Sequence, residues 1–148
     1  MIYLDILTAV CIGLLIGTEF TVSAFINPIL HRLDTGTRMK TISYFAKRLG
    51  TAMPFWYSLS LLLLIGEAVL RRNSNSESLL TTAGALWFAV IVLTLIFLVP
   101  INNRMMRLDA NSPSESSLRE HKRWELLHRG RVVALAASMV CFLLAVLR

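Results

Sequence analysis

Four uninterrupted apolar runs constrain this chain more than any other feature, because about 20 such residues in a helix cross the roughly 30 Å hydrocarbon core of a bilayer. They cover about 2–26, 51–70, 79–99 and 124–147. The 148 residues leave room for a single domain, 1–148. Short links between the runs predict an all-α fold, a membrane-embedded, up-down antiparallel four-helix bundle. With 55% hydrophobic and only 16% charged residues, a water-soluble domain of this size would expose too much apolar surface. The opening run has no basic stretch ahead of it and is too long for the core of a cleaved signal peptide.

The net charge of +6 raises nucleic acid as a partner, but the basic residues sit in short loops and form no basic face or recognition motif, so no nucleic acid is expected. They act instead as topology signals. Twelve of the fifteen lysines and arginines lie in the first loop, the third loop and the mouth of the fourth run; only Arg71, Arg72 and Arg148 lie on the other side. This places both termini outside and the basic loops in the cytoplasm, as in an integral protein of a bacterial inner membrane. The outer "RRNSNSES" and the inner "DANSPSESS" have turn or flexible composition. Residues 37–49 can form an amphipathic helix along the cytoplasmic interface, with Met39, Ile42, Tyr44, Phe45 and Leu49 on its apolar side.

Small residues in the first run, Gly13 and Gly17 followed by Thr21 and Ala24, allow close helix approach within the bundle or along a homo-oligomer seam. Cys11 and Cys141 lie inside apolar runs and read as small core hydrophobes; their similar depth leaves a disulfide open.

Function has to come from the polar residues stranded in these helices. Glu19, Ser23 and Asn27 recur at spacings of four along one face. A carboxyl at such a depth costs roughly 2.5–3.5 kcal/mol to insert, and so tends to face the bundle interior and a partner such as Arg131, or to take up a proton. Trp124, His128 and Arg131 share a face where the fourth run begins. Under the predicted topology Asn27-Pro28, Pro100 to Asn103, and Trp124 to Arg131 all arrive at the cytoplasmic level, where Pro54, Trp56 and Tyr57 enter the second run. A pocket is therefore expected with Glu19 at its floor, Asn27, Asn102 and His128 on its walls, and aromatics at its rim. Each residue has an ordinary alternative. Trp56, Tyr57 and Trp124 suit an interfacial aromatic belt, Arg131 can snorkel, and Pro28 and Pro100 can simply end helices. His31 and His121 are expected on solvated loops.

Taken together, "NP" at 27–28, "VPINNRM" at 99–105 and "WELLHRGRVVALAASM" at 124–139 resemble the anthrone-oxygenase-like family of small integral membrane proteins. The pattern is carried by Pro100, Asn102, Arg104, Trp124, His128 and Arg131. The resemblance implies a four-helix membrane fold and a reaction of O₂ with a lipophilic aromatic or quinone-type molecule. Such chemistry needs a base, donors for a developing oxyanion and a dry pocket. His128 or Glu19 would serve as base, with Asn27, Asn102 and Arg131 holding oxygen and Trp56, Tyr57 and Trp124 around the ring. No cofactor is implied. A metal reading, iron or copper on Glu19 and His128 with His31, stays open beside it, although no H-x3-H pair supports it. The same pocket also suits a non-enzymatic module that binds or moves a lipid, quinone or other hydrophobic ligand.

Overall fold

A computed structural model of the chain describes residues 1–107 and 115–148. The described residues are almost wholly helical, in four long helices: α1 (Ile2–Leu30), α2 (Thr35–Leu70), α3 (Glu77–Met106) and α4 (Glu115–Val146). Each is long and apolar enough to cross a membrane, which is the make-up of an integral membrane protein. The outward faces carry large apolar side chains such as Phe20, Phe55, Leu62, Phe88, Val133 and Val140, all more than half exposed and suited to lipid contact. Most of "DANSPSESS" lies outside the described residues.

The helices run past the boundaries that hydropathy suggests. Residues 37–49 are not a separate interfacial helix but the first turns of α2, which continues unbroken through Gly50 and Pro54 to Leu70. At 36 residues, or about 54 Å at 1.5 Å per residue, α2 is longer than the bilayer core is thick. Met39, Ile42 and Ala46 point inward, the first two forming a second small core with Leu30, Ile101 and Met105, whereas Tyr44 and Phe45 face out. Asp34 starts the helix by accepting the Thr37 backbone N–H at 3.0 Å. Hydrogen bonds from Thr37 hold its carboxyl below the usual carboxylate range.

Pro28 and Pro100 do not end helices either. Each follows a five-residue π-helical segment, Val22–Ile26 in α1 and Thr94–Leu98 in α3. A proline ring clashes with the carbonyl four residues earlier and has no N–H to give it. A wide π turn relieves that clash and lets the helix continue, to Leu30 in one case and Met106 in the other.

Contacts between helices are polar at intervals through an apolar core centred on Ile12, Leu15, Leu64, Trp87, Leu135 and Phe142. Along α1 and α2, Thr8 meets Glu67, Cys11 meets Ser60 at 3.6 Å, and Glu19 meets Tyr57, so numbering rises in one helix as it falls in the other. Ser76 and Ser138 donate across the α3–α4 seam to Ala145 O and Ala83 O, both at 2.8 Å. Gly13 packs toward Met139 of α4, leaving only Gly17 of that pair facing open space. Cys11 and Cys141 are free thiols. The short α2–α3 turn places Asn73 at φ 64°, a left-handed conformation in which Asn is among the least strained non-glycine residues.

One end of the bundle is fastened by a cluster that hydropathy does not announce. Arg71 bonds the buried Glu67 and, at 2.8 Å, Asp5 of α1; Thr8 donates to Glu67 at 3.3 Å. Removing the shared cation leaves two carboxylates facing each other with little water. Arg71→Met is expected to cost about 3 kcal/mol, read as a lower Tm by circular dichroism in detergent, while Arg72→Met at the exposed neighbouring position leaves Tm within about 1 °C.

Candidate functional site

Near the opposite end, Glu19 is fully enclosed at 2% exposure and is shared among three helices. Its Oε1 accepts from Tyr57 Oη of α2 at 2.9 Å, and its Oε2 accepts from Arg131 Nη2 of α4 at 2.6 Å. His128, one turn before Arg131, places Nδ1 3.2 Å from the same carboxylate oxygen and 2.8 Å from Arg131 Nη2. Its other nitrogen, Nε2, is 3.0 Å from the Glu19 backbone oxygen. A carbonyl can only accept, so Nε2 carries the proton of the neutral ring and Nδ1 keeps a lone pair, which accepts from Arg131. Stacking on Trp124, with centroids 4.6 Å apart and planes 11° from parallel, fixes the imidazole plane. The Arg131 guanidinium also lies 5.6 Å from the Tyr57 ring centroid, within reach of a cation–π attraction.

This cluster borders a cavity of about 370 Å³ lined by residues of all four helices, chiefly α2 and α3, within the range of roughly 300–1,000 Å³ typical of small-molecule sites. Its walls are mostly apolar, including Leu49, Met53, Ile91, Leu95 and Leu98, and Trp124, Asn102 and Asn103 also border it. Asn102 Nδ2 donates to Ala46 O at 3.3 Å and closes over Gly50, where a Cβ would lie only 2.9 Å from it. Two buried polar atoms of cavity-lining residues, Thr94 Oγ1 and Arg131 Nε, have no hydrogen-bond partner. Unpartnered buried donors are uncommon in proteins and are often completed by a ligand or water.

Of the eight residues singled out from the sequence, Glu19, Tyr57, Asn102, Trp124, His128 and Arg131 border this cavity. Trp56 does not: it points toward α1 and donates Nε1–H to Cys11 O at 3.1 Å. Asn27 does not either. It is buried beside a smaller neighbouring cavity of about 50 Å³, its Nδ2 unpartnered. The π segment between Glu19 and Asn27 adds a residue to the turn, and so carries Asn27 off the stripe that regular spacing of four predicts. His31 lies apart from the Glu19–His128 pair and bonds Glu125 at 2.7 Å, so it does not complete the metal set with Glu19 and His128. His121 is not on a solvated loop but in α4, 3% exposed. Thr94, Glu67 and Glu125 escaped the sequence reading. The Glu125–His121 spacing of four was a visible signal; nothing local marks Thr94.

Fold and geometry together define a class: a four-helix membrane protein whose intramembrane polar side chains close around one cavity. The chain belongs to the anthrone oxygenase family, whose model, described as Anthrone oxygenase, matches residues 39–141. That match takes in most of α2, all of α3 and most of α4, with every cavity residue named above except Glu19. No curated protein and no solved structure matches the chain.

The ion pair between Glu19 and Arg131 is buried, so breaking it on one side leaves an uncompensated charge. Arg131→Met is expected to destabilise the protein by about 3–5 kcal/mol by stranding a buried carboxylate, while Glu19→Leu combined with Arg131→Met recovers most of that loss. Thermal unfolding of the three proteins in the same detergent reads this directly.

Proposed function

We propose that the cavity binds a lipophilic, fused-ring aromatic ketone of the anthrone type and promotes its oxidation by O₂ to the quinone. The observation that carries this reading is the placement of an imidazole, a carboxylate and a guanidinium together on the wall of a mostly apolar cavity. Family membership supports the same reaction class.

An anthrone has a methylene between two aromatic rings, opposite its ketone. Loss of one methylene proton gives an aromatic oxyanion, and His128 Nδ1 is the accepting atom, because Nε2 is committed to the Glu19 carbonyl. The imidazolium so formed faces Glu19 Oε2 at 3.2 Å, which stabilises the added proton. Arg131, released from Nδ1, and the unpartnered Thr94 hydroxyl serve the oxyanion. Tyr57 holds Glu19 in place, and Trp124 offers an aromatic surface beside Asn102 at the rim. The electron-rich anion passes an electron to O₂. Radical recombination gives a hydroperoxide, and loss of water from it yields the quinone, so one anthrone and one O₂ become one quinone and one water. The apolar walls exclude the bulk water that would otherwise quench the anion.

Oxygen uptake by the purified protein with anthrone as substrate tests this. His128→Ala is expected to lower kcat by about 10²–10⁴-fold in protein that circular dichroism shows is still folded at the assay temperature, whereas Trp56→Phe, outside the cavity, stays within about threefold. Anthrone that raises Tm without oxygen uptake would leave a binding or carrier module in place of an enzyme. Undiminished uptake in His128→Ala would remove the histidine from the mechanism.

The distribution of basic residues supports an orientation with both termini outside and the basic loops cytoplasmic. An epitope tag at the N-terminus is expected to be cleaved by protease added to intact spheroplasts, and a tag in the third loop only after lysis.

A further inference from the structure

A second cluster of metal-binding side chains lies at the same end of the bundle, outside the cavity. His31, from the turn after α1, places Nε2 2.7 Å from Glu125 Oε1. His121, one turn before Glu125 on α4, places Nε2 3.2 Å from that same oxygen. One donor atom from each of the three residues falls within 4.8 Å of the others. His121 is 3% exposed, yet neither of its ring nitrogens makes a hydrogen bond. An imidazole hidden from water, with both nitrogens idle and one aimed at a carboxylate, is a lone pair awaiting an acceptor.

We propose that His31, His121 and Glu125 bind a first-row divalent cation such as Zn²⁺ or Fe²⁺. Two imidazoles and one carboxylate form a borderline donor set that suits these ions over Ca²⁺ or Mg²⁺. In a tetrahedral site with bonds near 2.0–2.1 Å, donor atoms stand about 3.4 Å apart, comparable with the 2.7 and 3.2 Å from the two imidazoles to Glu125 Oε1 found here. The spacing of four brings His121 and Glu125 to one face of α4, and the turn after α1 supplies the third donor. The ion therefore ties the end of α1 to the start of α4.

Arg38 is the group that opposes this. Its Nη1 is 3.5 Å from His31 Nδ1, and a cation bound at Nε2 requires that Nδ1 carry a proton, so the contact is given up on binding. The site does not depend on the anthrone reading. Its residues are distinct from Glu19, His128 and Arg131, and the Trp124 ring stands between His121 and His128, at centroid distances of 6.1 and 4.6 Å.

The full chain, purified in detergent and stripped with a chelator, is titrated with Zn²⁺ and separately with Co²⁺. Expected are one ion per chain, visible ligand-field absorption with Co²⁺, and a Tm that rises at saturating Zn²⁺. His31→Gln, at a half-exposed position that tolerates the change, weakens binding at least about tenfold and abolishes the Tm rise while the apo Tm holds. Arg38→Gln strengthens binding. The absence of saturable binding, or binding left unchanged by both His31→Gln and Glu125→Gln, overturns the proposal and leaves a His31–Glu125 hydrogen bond with His121 packed beside it.

Discussion

Glu19 and Arg131, 2.6 Å apart among apolar helices, set the terms for the polar end of this bundle. Moving either charge out of water costs several kcal/mol, and their mutual attraction offsets that only when the remaining lone pairs and protons also find partners. Here most of them do, Arg131 Nε excepted: Tyr57 donates to one carboxylate oxygen, and His128 accepts a hydrogen bond from the guanidinium and donates its own N–H to the Glu19 backbone oxygen. The four groups come from α1, α2 and α4, so the requirement to satisfy one buried carboxyl fixes the rotation of three helices at once. The positions of Trp124 and of the cavity beside it follow from that.

Two prolines shape the same level of the fold in a different way. Each is preceded by a wide turn that keeps the helix going where a proline would normally break it. In α3 this segment carries Thr94, whose hydroxyl is left without a partner in the cavity wall. π turns are rare and gather at functional sites. The irregularity is of a kind that helical periodicity cannot forecast, because it arises from the clash of one ring with one carbonyl.

This explains what the amino-acid sequence discloses and what it hides. Hydrophobic run length marks all four helices, because crossing hydrocarbon demands it. Glu19, Tyr57, Asn102, Trp124, His128 and Arg131 stand out as polar or aromatic residues at a shared depth, and they do meet around one cavity. Asn27 is misplaced by regular spacing, since the chain between it and Glu19 is not regularly wound. Trp56 and Tyr57 are adjacent and look alike on paper. A rotation of 100° per residue sends one to the Cys11 carbonyl and the other to the Glu19 carboxylate. Helix ends are read too short where polar residues continue beyond the bilayer core, which is why His121 looks like a loop residue. Glu67 sits close to a charged turn and passes for part of it; only the approach of Asp5 and Thr8 from another helix reveals it as buried.

Between Glu77 and Arg104, α3 holds no charged residue at all. The ion pairs buried at the two ends join α1 to α2 and α1 to α4. Along its apolar length α3 is held by dispersion and by hydrogen bonds such as Trp87 to Tyr57 O, Ser138 to Ala83 O and Asn102 to Ala46 O. It is also one wall of the cavity. Moving that wall would break these hydrogen bonds and, at its end, the Arg104–Glu120 pair at 2.7 Å. The cavity wall is thus fixed by neutral contacts along its middle and by a charged pair only near its end.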